Sequence, residues 1–97
     1  MISITLISFS HNAYAGEGEQ IFSANCAVCH SGGNNAIIQD KTLKKDVLAM
    51  NEMNSVDAIV NQVTNGKGAM PAFGGRLSEE NIQDVANYVL SQAEAGW

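Results

Sequence analysis

The sequence predicts an all-α domain, and three observations carry that expectation. No segment alternates apolar and polar residues as a half-buried strand would. Val56, Ile59, Val60 and Val63 recur at helical spacing, as do Ile82, Val85, Ala86 and Val89, each set forming a stripe on one helix face. Asn54 or Ser55, and Ser78, stand where these helices would begin and Gly66 and Gly96 where they would end, the residue types that cap helices. At 97 residues the chain is one domain, near the size at which an apolar core alone gives marginal stability. About four helices are expected, wrapped around a further staple.

Residues 1–15, MISITLISFSHNAYA, carry no formal side-chain charge and hold an apolar stretch from Ile2 to Phe9. The Ala13-Tyr14-Ala15 ending has the small-x-small form of a signal-peptidase site, so an export peptide cut after Ala15 is expected, leaving 16–97 as the domain. Its apolar part is too short for a bilayer, which needs about 20 residues. Stable membrane insertion is therefore not expected.

From Gly16 to Cys29 the pattern is helical, with Glu17 and Glu19 in the first turn, where the macrodipole favours them. Ile21, Phe22 and Ala24 are expected to face inward, and Gly18, four before Phe22, to admit a close helix crossing. Ser31-Gly32-Gly33-Asn34-Asn35 is a turn cluster that stops this helix, and Ala36 to Asp40 a short extended or turn piece. Lys41 to Met50, with Leu43, Val47 and Leu48 at near-helical spacing, predicts a short helix. Its lysines, Lys41, Lys44 and Lys45, are expected on a solvated face flanked by Asp40 and Asp46. Ser55 to Asn65 is an amphipathic helix, and Gly66 to Gly75, with four glycines and Pro71, an irregular loop. Ser78 opens the last helix, with Leu77 and Ile82 spaced for a hydrophobic staple and Glu79 and Glu80 in the first turn.

Ten carboxylates against five bases, a formal charge of −5, argue against a nucleic-acid partner. The chemistry is concentrated in Cys26-Ala27-Val28-Cys29-His30, a C-x-x-C-H run. That run is the attachment signature of a c-type haem: two thiols add to the porphyrin vinyl groups and the histidine ligates iron. On a helix, residues three and four apart share a face, so Cys26 and Cys29 can address one edge of the macrocycle while His30 comes up beneath the metal. An accidental match in a chain of this length has a probability on the order of one in a thousand. A buried haem would also supply the missing staple, whereas a disulfide between cysteines three apart would close a tiny loop and remove little entropy.

His30 leaves one axial position of the iron to be filled. Of the four methionines, Met1 lies in the leader, and Met50 and Met53 sit at or beyond a helix end, where adaptable core filling is the simpler role. Met70 precedes Pro71, which biases it to an extended conformation, and lies in the glycine-rich loop, far enough after His30 to reach the other face of the ring. Met70 is the expected sixth ligand; His11, in the leader, is discounted. Paired histidine and methionine ligands keep iron six-coordinate in both oxidation states and favour the ferrous form. Such a centre passes single electrons and offers no open site for a substrate.

With both ligands placed, the chain resembles the cytochrome c6 family of algal and cyanobacterial photosynthesis, from Gly16 to Trp97. The stretches that carry the resemblance are FSANCAVCH at 22–30, GGNN at 32–35, DKTLKKDVL at 40–48, NGKGAMPAFGGRLSEENI at 65–82 and ANYVLSQ at 86–92. It implies a class I cytochrome c fold in which the first and last helices cross, with Gly18, Phe22, Val85 and Tyr88 matching that contact. It further implies a monomeric carrier in the thylakoid lumen, taking electrons from the cytochrome b6f complex through cytochrome f and delivering them to photosystem I. Arg76 matches a family arginine that helps docking at the photosystem. The chain departs from the family at Gln39, often a proline beside the region that hydrogen-bonds the ligating histidine, where a backbone carbonyl can still accept. It departs also at Thr64, where a glutamine near the haem is often found. It lacks the cysteine-bearing insertion of the plant-type variant.

The competing functions are a respiratory carrier feeding a terminal oxidase, a dithiol oxidoreductase using Cys26 and Cys29, a zinc site, and a haem enzyme or gas sensor. A reactive dithiol normally sits at the start of a helix beside a sheet. Zinc needs a fourth ligand beside two cysteines and one histidine. A sensor needs the position assigned to Met70 open.

Overall fold

The computed structural model describes the backbone of residues 9–97 and the side chains from residue 16 onward. Of the expected export peptide, residues 1–8 and all side chains lie outside the described residues; the backbone of Phe9–Ala15 belongs to the first helix. Among the described residues five α-helices follow one another: α1 (Phe9–Asn25), α2 (Ala27–His30), α3 (Lys45–Met50), α4 (Val56–Asn65) and α5 (Glu79–Ala95), with one 3-10 turn, Ser31–Gly33, after α2. Among the described residues there is no strand, only one isolated bridge between Lys67 and Met70. No helix there is long and apolar enough to cross a membrane.

The count exceeds four because the helix expected to reach Cys29 breaks at Cys26. Asn25, the last residue of α1, also sends Nδ2 to the Ile21 carbonyl (3.0 Å). At Cys26 the backbone is stretched to φ −111°, ψ −32°, which interrupts the helix for one residue. The ladder resumes at once, because Cys26 N–H still donates to Phe22 O (2.8 Å) and His30 N–H to Cys26 O (2.9 Å). Ala24, expected inward, is exposed, while Phe22 is buried.

The helix expected over Lys41–Met50 starts only at Lys45. Its first part is held elsewhere by tertiary bonds: Leu43 N–H donates to Gly33 O (2.8 Å), and the Leu43 carbonyl accepts from Trp97 Nε1 (2.9 Å). These bonds hold Leu43 in the loop, and Lys44, extended at ψ 152°, precedes the first helical residue, so tertiary contacts override the apolar spacing. Lys41, Lys44 and Lys45 are exposed, and Lys45 pairs with Glu94 at 2.9 Å. That exposed pair contributes about 1 kcal/mol at most.

Helices α4 and α5 begin as their sequences dictate. Ser55 Oγ accepts from Ala58 N–H (3.1 Å) and Ser78 Oγ from Asn81 N–H (3.0 Å), bonds that stabilise by about 1 kcal/mol each. Gly96 adopts the left-handed conformation (φ 94°) that ends α5. The core joins Phe22 of α1, Leu48 of α3, Ile59 and Val63 of α4, Phe73, and the α5 stripe of Ile82, Val85, Ala86, Val89 and Ala93. Helix α5 crosses α1 at Gly18, where a β-carbon would lie 2.5 Å from Asp84 O and 2.8 Å from Tyr88 Cβ. No side chain fits between the two helices there. Phe22 and Tyr88 meet beside it with ring centroids 5.4 Å apart.

Candidate haem site

Helices and loops line a cleft of about 440 Å³ whose inner wall includes the core residues Phe22, Leu48, Ile59, Val63, Phe73, Val85 and Val89. Two separate stretches supply its polarisable donors: Cys26, Cys29 and His30 from the α1–α2 turn, and Met70 from the loop after α4. Met53 reaches the wall as well and packs against the core, whereas Met50 is 76 % exposed and takes no part. Of the chain's cations Lys41 and Lys67 line the cavity; none of its ten carboxylates does.

Cys26 and Cys29 are free thiols, both partly buried. Burial pushes the Cys26 thiol up to about 11, so it stays neutral at physiological pH. His30 ends α2, and the chain turns away through Gly32 (φ 65°) and Gly33 (φ 80°), left-handed positions that glycine tolerates. This turn delivers the Asn34 carbonyl to His30 Nδ1 at 2.9 Å. A carbonyl oxygen only accepts, so Nδ1 carries the proton and Nε2 keeps its lone pair for a metal. The acceptor is a backbone carbonyl, as expected, and belongs to Asn34, directly after the glycine turn.

Met70 owes its position to backbone bonds. Lys67 N–H donates to Met70 O (3.0 Å) and Met70 N–H to Lys67 O (2.9 Å), closing a tight loop. Phe73 N–H and Gly74 N–H then donate to Val63 O (2.9 Å) and Thr64 O (3.1 Å), stitching the loop to the end of α4. Gly66 is required at its place: at φ 72° a β-carbon would sit 2.6 Å from Met70 O.

Gln62, Lys41 and Lys67 line the site although the sequence did not assign them to it. The glycine-rich loop folds back so that Gln62, not position 64, sends its carboxamide to the thioether, with Nε2 3.8 Å from Met70 Sδ. The signal was present, since Gln62 follows Ile59 by three and so borders the buried stripe. Thr64 instead serves the loop through its carbonyl. Arg76 does not line the cavity; it is exposed, with its guanidinium carbon 4.7 Å from the centroid of Phe73, a ring that does.

The donor set fits a haem: two thiols, an imidazole with a free Nε2, thioethers, an apolar enclosure and two cations suited to propionates. Among the described residues no three His, Cys, Asp or Glu side chains cluster as a bare metal ion would need.

Comparison with known proteins agrees. The family model described as cytochrome c oxidase, cbb3-type, subunit III matches residues 13–89. Cytochrome c6 of Porphyra purpurea is 65 % identical over 98 residues, covering 98 % of this chain and 89 % of the relative. Cytochrome c6 of Pyropia tenera is 72 % identical over 80 residues, covering 82 % and 94 %. The solved structure of cytochrome c6 from the diatom Phaeodactylum tricornutum superposes with a TM-score of 0.82 at 58 % identity, over 86 % of this chain and 98 % of that one. A helical fold closed around a thiol, imidazole and thioether pocket, and these identities over nearly the whole chain, place the protein in the cytochrome c6 family of c-type cytochromes, electron carriers rather than enzymes, with one covalently attached haem c.

Proposed function

We propose that this chain carries single electrons from the cytochrome b6f complex, through cytochrome f, to photosystem I in a thylakoid lumen, using a haem tethered by Cys26 and Cys29 and ligated by His30 and Met70. The observation that carries this reading is the convergence of both thiols, the Nδ1-protonated imidazole and the Met70 thioether on one apolar cavity. Bound haem supplies a one-electron iron couple. The protein's residues do the rest: the Asn34 carbonyl holds the imidazole, the Lys67–Met70 loop holds the thioether, and the core excludes water. Lys41 and Lys67 are the cations available to the propionates. We assign the leader to export, with cleavage after Ala15; mass spectrometry of the mature protein would show residues 16–97 plus one haem, and an intact leader would refute that assignment.

Dithiol chemistry is disfavoured because a reactive cysteine needs a lowered pKa, whereas burial moves Cys26 the other way. The respiratory reading is separated by kinetics. Laser-flash measurements should show the purified reduced protein donating to photosystem I, and Arg76→Glu should slow the second-order rate about tenfold at low salt without altering the potential, as rim charges act on encounter. An unchanged rate would remove Arg76 from docking. Donation to a terminal oxidase and none to the photosystem would favour the respiratory role.

Gln62 yields a second prediction. A carboxamide N–H directed at the thioether draws electron density from sulfur and weakens its support of ferric iron. Gln62→Leu should lower the potential by roughly 20–60 mV in an equilibrium titration, the equivalent of one hydrogen bond at 59 mV per tenfold. A potential that holds or rises would show that the 3.8 Å contact has no electronic consequence.

A further inference from the structure

Trp97 lies outside the cavity, yet it holds the segment that orients the imidazole. Its indole covers Gly33 so closely that a β-carbon there would be 2.5 Å from the indole Cγ, and Gly33 is buried at φ 80°. The indole Nε1–H donates to Leu43 O (2.9 Å), and Leu43 N–H donates back to Gly33 O (2.8 Å). Residues 33, 43 and 97 therefore form a closed set of contacts, and the peptide leaving Gly33 leads directly to the Asn34 carbonyl that accepts from His30 Nδ1. The indole is fixed in turn by Phe22 and Tyr88, with ring centroids at 5.4 and 6.2 Å, which ties it to the α1–α5 crossing.

We infer that Trp97 is a positioning residue for the haem iron's histidine, acting through Gly33 and Asn34 to set the direction and strength of the His30 Nδ1–H bond. The inference rests on the assignment of His30 as ligand. A strong Nδ1–H···O bond makes the imidazole a better donor and so favours ferric iron. Loosening the turn should weaken that support and raise the potential. A tryptophan that merely packs would change stability and leave the imidazole as it was.

The test uses the haem-loaded protein with Trp97→Phe, which keeps a ring over Gly33 but deletes the N–H, together with Trp97→Ala and a control, Lys45→Gln, which breaks only the exposed pair with Glu94. The readouts are hydrogen exchange of the His30 Nδ1–H in the reduced, diamagnetic protein by NMR, and the reduction potential. In Trp97→Phe the ring proton should exchange about tenfold faster, the equivalent of one weakened hydrogen bond, with a higher potential. Trp97→Ala should go further where it folds, and Lys45→Gln should match the unsubstituted protein. Lower melting temperatures in the tryptophan variants with exchange and potential unchanged would overturn the inference. If His30 is not the ligand, the unsubstituted protein itself will lack the haem ring-current shift on its His30 protons, a failure independent of any Trp97 variant.

Discussion

Made without haem attachment, either in cells lacking the maturation machinery or as the Cys26→Ser, Cys29→Ser double variant, the chain is expected to lose most of its helical circular dichroism and its cooperative melting. The cavity decides this. Most of the core lines it; only Ile82, Ala86 and Ala93, on α5, are core residues that stand apart from it. Without the haem, the apolar walls of this open cleft of about 440 Å³ would face water, losing the burial that drives folding. The whole stability of a domain this size is about 5–15 kcal/mol, at the low end for a small one, so that loss is enough to decide the outcome. The haem-loaded protein should melt in one sharp transition. Cooperative, near-native melting of the haem-free chain would show that the helices pack adequately alone.

The parts of this architecture that could be read in the sequence are those governed by neighbours along the chain. Ser55 and Ser78 cap because their hydroxyls reach amides three residues on, and Gly96 ends α5 because it can adopt a left-handed conformation. Gly18 suggested a close crossing through its spacing from Phe22, although which α5 atoms it meets depends on the fold. Cys26, Cys29 and His30 were visible as a motif, and Met70 through its proline and glycine surroundings. What could not be read is set by contacts across the chain. Leu43 is helical by pattern, yet it is pulled straight by Gly33 and by Trp97, 54 residues away. Gln62 reaches Met70 only because Phe73 and Gly74 fold the loop back onto α4. The break at Cys26 is local, a stretch of one residue to φ −111° that no apolar spacing signals.

Met70→Ala should lower the reduction potential by a few hundred millivolts, a share of the roughly 0.8 V over which axial ligands move haem potentials. The sulfur-to-ferric-iron charge-transfer band should disappear in the same variant, and the reduced protein should acquire carbon monoxide binding at neutral pH. The direction follows from the thioether, a soft donor that supports ferrous iron better than ferric. Stability should fall much less than on haem loss, because Met70 is held by its backbone: the Lys67 bonds and the Phe73 and Gly74 stitches involve no Met70 side-chain atom. Met53 provides the discriminating control, since it is the other methionine on the cavity wall. Met53→Leu preserves volume and apolarity, and it should leave band, potential and carbon monoxide exclusion intact, with a stability change under about 1.5 kcal/mol. If the band survived in Met70→Ala and vanished in Met53→Leu, the ligand would come from the segment after α3, and the loop geometry at Gly66 would need another purpose. If it survived in both, neither thioether would reach the iron, and a six-coordinate carrier closed to exogenous ligands would be the wrong description of this protein.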